Sequence, residues 1–202
     1  MSEKTEKRRA ELRTRLVDAA EAAIVADGIA AVKARDLAKQ ANCAVGAIYN
    51  VFADMTQLVM AVNGRTFQRL GQEVEAELAH RTDALPADQL VSIALTYLHF
   101  ASDNKNTWRA LFEVEMSTDQ PVPHWYQEQL AGLFGLIRLP LSRLRPDLAD
   151  EELSLLTRAL FSSVHGIVSL GLEKRISGVP VPEMEKMISM IIKHFAGEPS
   201  KM

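Results

Sequence analysis

A single cysteine, Cys43, in 202 residues leaves the chain without an intramolecular disulfide or a four-thiolate metal site. Its place beside a turn, among apolar neighbours, suits a core thiol. The five histidines, His80, His99, His124, His165 and His194, form no HExxH or His-x-His grouping, so no metal is expected. A nucleophile elbow, a phosphate-binding loop and a dinucleotide fingerprint are all missing, and His165 as a lone general base lacks a partner in the sequence. Neither a catalytic residue nor a cofactor is therefore expected. Uninterrupted apolar runs of membrane-spanning length are lacking, and the charged start MSEKTEKRRAELRTR is not followed by a signal-type apolar block. These absences predict a cytoplasmic protein with no membrane partner. Without alternating strand patterns or an Asn-Gly hairpin, a β-architecture is not expected either.

What remains is a chain that is 48% hydrophobic and 24% charged, an ordinary globular composition without internal repeats. The net charge of -3 is not of the sign that nucleic-acid binding favours. Its distribution is more permissive. Residues 1–60 hold nine Lys and Arg (Lys4, Lys7, Arg8, Arg9, Arg13, Arg15, Lys33, Arg35, Lys39) against eight Asp and Glu, which makes them +1 and leaves -4 for the rest. A contrast this small cannot argue for DNA, so that case must rest on a motif.

The motif lies between Ala34 and Phe52, ARDLAKQANCAVGAIYNVF, which reads as two short helices joined by a tight turn. Leu37, Ala38 and Ala41 fall on one helical face, and Ile48 and Phe52 repeat the i, i+4 spacing after the break. Asn42 supplies the left-handed backbone that a sharp turn needs. Val45, Gly46, Tyr49 and Asn50 are left pointing outward, small residues with two hydrogen-bonding side chains among them. A helix-turn-helix places such a second helix in the DNA major groove, where Asn can bond adenine and Tyr can reach phosphate.

The run from Gly28 to Leu58 resembles the DNA-binding head of the tetracycline-repressor (TetR) family, with Gly28, Leu37, Ala38, Ala41, Gly46, Tyr49, Phe52 and Leu58 at the family's spacing. The resemblance implies DNA contacts from Lys33, Ala44, Val45, Gly46, Ala47, Tyr49 and Asn50. There are departures. Ala44 and Lys33 stand where the family has side-chain helix caps, and Val51 and Met55 replace a His and a Lys that touch phosphate. A missing cap costs about 0.5–2 kcal/mol.

Apolar residues from Leu12 to Ile24 repeat with helical period over about 10–26, with Gly28 as the stop. Asp54 and Gln57 form a capping-box pattern ahead of a long helix over 55–81. Five further helices are expected at 87–101, 105–116, 123–144, 150–175 and 183–196, with Pro140 kinking or splitting the third of them. The expected fold is thus all-α, about nine helices: a head over 1–54 and a helical ligand-binding and dimerisation domain over 55–202. Phe161, His165 and Gly166 resemble a TetR subgroup with an aromatic residue followed by His-Gly in its carboxy-terminal domain.

By that resemblance the body encloses an effector site, for which Trp108, Phe112, Met116, Trp125, Tyr126, Phe134 and His165 are the candidates. Lacking a charged cluster, these favour a largely apolar small molecule. Small residues in the 150–175 helix and the wide apolar stripe of the last helix predict a homodimer through Leu160, Val164, Ile167, Met184, Ile188, Ile191 and Phe195. The function implied is an effector-responsive transcriptional regulator, a repressor released from double-stranded operator DNA by its effector. The alternative is a helical small-molecule-binding protein whose DNA binding is lost or altered through Ala44, Val51 and Met55.

Overall fold

The computed structural model describes residues 3–114, 122–173 and 178–196. Among them are nine α-helices: α1 (Glu3–Asp27), α2 (Ala34–Gln40), α3 (Val45–Tyr49), α4 (Met55–Ala79), α5 (Pro86–Asp103), α6 (Lys105–Glu113), α7 (His124–Leu144), α8 (Asp150–Leu172) and α9 (Val181–Phe195). A short 3-10 turn, Ile29–Ala31, follows α1. No strand occurs among the described residues. The helix α1 begins well before Ala10, because Glu3, Lys4, Glu6 and Lys7 are good helix formers and Glu3 and Glu6 suit the positive end of the helix dipole.

The chain divides into two compact units, the first comprising Met1–Gln68 and Asn104–Gln127, the second Arg69–Asp103 and Glu128–Met202. This division differs from the expected boundary at residue 54. The reason lies in one continuous core. Leu16, Ala20 and Ile24 of α1, Leu37 and Ala38 of α2 and Ile48 of α3 are buried together with Leu58, Val59 and Val62 of α4 and with Ala110 of α6. A three-helix head alone has too little apolar surface to bury, so the first turns of α4 and the short α6 complete it. Polar bonds fasten α6 there: Asn106 Nδ2 donates to Val25 O at 3.0 Å near the open end of α1, and Asn63 Nδ2 donates to Ala110 O at 2.9 Å. Arg65 of α4 reaches Asp18 and Glu21 of α1 at 2.7 and 2.8 Å.

Local expectations at the helix ends hold. Gly28 has φ 79° and its N–H bonds Ile24 O at 2.9 Å, closing α1. The amide of Gln57 donates to Asp54 Oδ1 at 2.7 Å at the start of α4, while Ala53 N donates to Gln57 Oε1 at 3.4 Å. The reciprocal half of the capping box thus falls one residue early.

In the second unit α5, α8 and α9 pack together over Leu90, Leu98, Leu153, Leu160, Val164, Val168, Met184, Ile188 and Ile192. Gly171 permits the α8–α9 approach, since a Cβ there would lie 2.1 Å from Met184 Sδ. Of the two outcomes expected at Pro140, splitting does not occur: α7 is one helix from His124 to Leu144 with the proline inside it. Proline forfeits the bond to Leu136 O, but Pro140 and Leu141 are both buried, and their packing offsets that loss. Gln89 links three segments: its Nε2 donates to Arg81 O at 2.8 Å, and its Oε1 accepts from Arg143.

Candidate nucleic-acid interface and aromatic clusters

The turn between α2 and α3 is a complete Schellman motif. Asn42 takes φ 50°, Cys43 N donates to Ala38 O at 2.9 Å and Asn42 N to Lys39 O at 3.2 Å. Cys43 itself is partly buried against the head core. This turn fixes the direction of α3, whose Ile48 is wholly buried. The opposite side of α3 is left open: Tyr49 is 51% exposed, Val45 40%, and a Cβ on Gly46 would meet nothing within 4 Å. Ala44, Asn50 and Lys33 are exposed and Ala47 half-buried. The expected DNA-contacting residues of α3 therefore share one accessible flank.

Asn50 stands at a different place from the one its sequence suggested. It is the C-cap of α3 rather than a mid-helix residue, because the helix is only five residues long. Ala44 and Lys33 are N-caps without a side-chain cap bond, as expected from their side chains. Val51 and Met55, which replace family phosphate contacts, pack against the head core. Sequence reading counted Arg13 and Arg15 only among the basic residues of the head and did not foresee their contacts within it. The Arg15 Nε donates to Ala41 O at 3.1 Å, bracing the turn, and the Arg13 guanidinium lies 5.2 Å from the Phe52 ring centroid. Neither contact follows a helical spacing, so no pattern in the sequence announces it.

The candidate effector residues separate into two groups. In the first unit Trp108 is buried and stacks edge-on with the half-exposed Phe112 at 5.5 Å, while Tyr126 lies edge-on to Phe67 at 5.2 Å and to Trp125 at 5.5 Å. Burial raises the Tyr126 pKa, keeping its hydroxyl neutral. Met116 lies outside the described residues. In the second unit the ring of Phe161 stacks on His165 at 5.6 Å and meets Phe134 edge-on at 5.2 Å. Tyr97, absent from the sequence-derived set, is bonded through its hydroxyl to His165 Nδ1 at 2.8 Å. Burial lowers the His165 pKa, favouring the neutral ring.

The expected dimer residues are redistributed by burial. Leu160, Val164, Met184 and Ile188 belong to the second unit's own core and have no area to offer a partner. Ile167 and Ile191 are half-buried, and Phe195 is 40% exposed. Beside Phe195, the exposed large apolar side chains of α8 and α9 are Leu155, Leu170, Met187 and Met190. Helix α8 is long and apolar enough to cross a membrane by length and composition, but its Leu153, Leu160, Val164 and Val168 are covered by protein.

A buried helical core that holds a short helix outward behind a Schellman turn defines a helix-turn-helix DNA-binding protein with a helical body. The chain belongs to the tetracycline-repressor family: residues 16–62 match the bacterial regulatory proteins, tetR family, and residues 90–195 the tetracyclin repressor-like C-terminal domain. It is a DNA-binding transcriptional regulator with an effector-binding domain. No curated protein matches the chain. Its fold is that of a protein of unknown function from Rhodococcus sp. RHA1, 21% identical with a TM-score of 0.71, over 91% of this chain and 94% of that one. The fold is also that of RolR in complex with resorcinol, 20% identical with a TM-score of 0.67, over 96% and 97% of the two chains. FadR from Bacillus subtilis in complex with stearoyl-CoA is 15% identical with a TM-score of 0.65, over 89% and 96%.

Proposed function

We propose that the chain is a cytoplasmic homodimeric repressor that leaves its operator when a largely apolar small molecule binds, and that it works by binding without catalysis. The observation that carries this reading is the open flank of α3, where Tyr49, Val45 and Gly46 face outward from a core assembled to hold them there. Lys33, at the start of α2, supplies phosphate contact in place of Met55, which is turned into the core. Helix α4 is shared by both compact units, so it is the element through which effector occupancy alters the heads. Only an effector with different affinities for the two arrangements can drive that change.

The effector anchor in the second unit is the Tyr97–His165 pair beside the Phe134 and Phe161 rings, residues that include the aromatic and His-Gly positions of the resembled subgroup. Burial favours the neutral imidazole, so the anchor that the pair offers is polar without being charged. Resorcinol, bound by one solved relative, is a ligand that is mostly apolar and carries few polar atoms, and stearoyl-CoA, bound by another, shares with it only the apolar part, its acyl chain. The test is binding to the DNA that flanks the protein's own gene, followed by a search for metabolites that release it. Failure to bind any duplex more tightly than random DNA would favour the reading as a ligand-binding protein that has lost DNA recognition.

A further inference from the structure

The side chain of Asn63 in α4 is wholly buried, yet its Oδ1 has no hydrogen-bond partner among the described residues. Its amide cannot simply be turned around. Nδ2 donates to the carbonyl of Ala110 at 2.9 Å, and reversing the group would set two oxygens against each other. A buried acceptor left empty is costly, so the position calls for a donor that the described chain does not supply. Beside it stands the Tyr126 hydroxyl, 3.5 Å from Nδ2 and accepting from it, which leaves the tyrosine proton to be donated elsewhere. Phe67, one turn along α4, is buried and edge-on to Tyr126 at 5.2 Å.

We propose that Asn63 Oδ1 and the Tyr126 hydroxyl form a recognition pair in the first unit for the hydroxyl of a neutral aromatic compound, the ring of which lies against Phe67 and Tyr126. A phenolic hydroxyl is donor and acceptor at once, so it satisfies Asn63 Oδ1 and takes the tyrosine proton with the same oxygen. A ring with no donor leaves the asparagine oxygen empty, which is how the pair discriminates. Burial keeps Tyr126 protonated, so its donor persists across the neutral range. The pair is also placed to signal. Asn63 holds the Ala110 carbonyl of α6, and Leu58, Val59 and Val62 of the same α4 face are part of the head core. Its consequence for DNA rests on the reading of the chain as a regulator; the binding itself does not.

Phenol, anisole and toluene share one ring and differ in the donor, so they are the probes, titrated against the DNA-free protein by fluorescence of Trp108 and Trp125. Hydrophobic transfer alone ranks toluene above phenol. The expected order is the reverse, with phenol at least tenfold tighter than either competitor. Asn63→Leu should abolish that preference while toluene binding persists. Tyr126→Phe, which leaves the Asn63–Ala110 bond in place, should cut it at least threefold and guards against a misfolded Asn63 variant. Equal or inverted ranking in the wild type, no saturable phenol binding, or a preference that survives in both variants overturns the proposal; a bound water in place of a ligand gives the second of these. Operator binding measured separately stays intact in that event if the regulator reading is right.

Discussion

In the proposed reading, single side chains in the head divide affinity from sequence reading. Asn50 is exposed at the C-cap of α3, beside Tyr49, and its amide matches the donor and acceptor of an adenine edge. Asn50→Ala should cost about 1–3 kcal/mol on the operator and little on random duplex, so specificity should fall more than affinity. Lys33 is exposed and carries no cap bond. Lys33→Ala should weaken both duplexes alike and reduce the salt slope by about one per subunit, because one fewer counterion is released. Binding of both variants to operator and random DNA across a salt series decides; full discrimination in Asn50→Ala would move base reading to Val45 or Ala47. His165 gives a second test at this scale. Its pKa is lowered by burial in the folded protein, so the unfolded chain binds more protons. Stability then rises with pH through the histidine range and falls as the medium is acidified below the unfolded value of about 6.5. Melting temperatures followed from neutral to mildly acidic pH should drop less steeply for His165→Gln than for the wild type.

At the level of elements, capping makes the separable contributions. The Asp54 carboxylate accepts the Gln57 amide at 2.7 Å, so Asp54→Ala should cost about 0.5–2 kcal/mol, read as a lower denaturant midpoint with an unchanged m-value. Asp54→Asn should recover most of it. That cap was legible in the sequence because its two partners are three residues apart, as were Asn42 in the turn and Gly28 after α1. The buried positions of α1 to α3 were legible for the same reason, since each helix has one apolar face with a fixed period. Relations between distant segments were not. Ala110 and Asn63 meet across 47 residues, so the joining of α6 to the head carries no local pattern. At Pro140 the sequence left kinking and splitting both open, because whether a helix continues past a proline depends on the packing around it. The pairing of Tyr97 with His165 spans 68 residues, and only the histidine had a motif to mark it.

For the whole molecule, the proposed homodimer needs a face on which two chains join, since a single head reads one half-site. On α8 the exposed or half-buried residues Leu155, Ala159, Ser162, Gly166 and Leu170 recur at spacings of four, three, four and four, one continuous flank with small residues at its middle. Leu155 is 68% exposed, Leu170 63% and Met190 of α9 59%, apolar area that a lone chain leaves in water. Burial also decides which substitution is informative. Ile188 is fully buried in its own unit, so Ile188→Glu places a carboxylate in that core and should unfold it rather than release intact monomers. Gly166→Leu is the cleaner probe: a Cβ there meets nothing within 4 Å in the single chain, and leucine gains up to about 1 kcal/mol of helix propensity over glycine. The variant should fold as well as the wild type yet hold a packed partner helix away, shifting the light-scattering mass from dimer to monomer. Leu170→Lys should do the same by placing a charge at the edge of that flank. Operator affinity should fall with the loss of dimer in both, while each single head keeps its weak non-specific binding. Dimers of unchanged stability in both variants would place the subunit contact on another face.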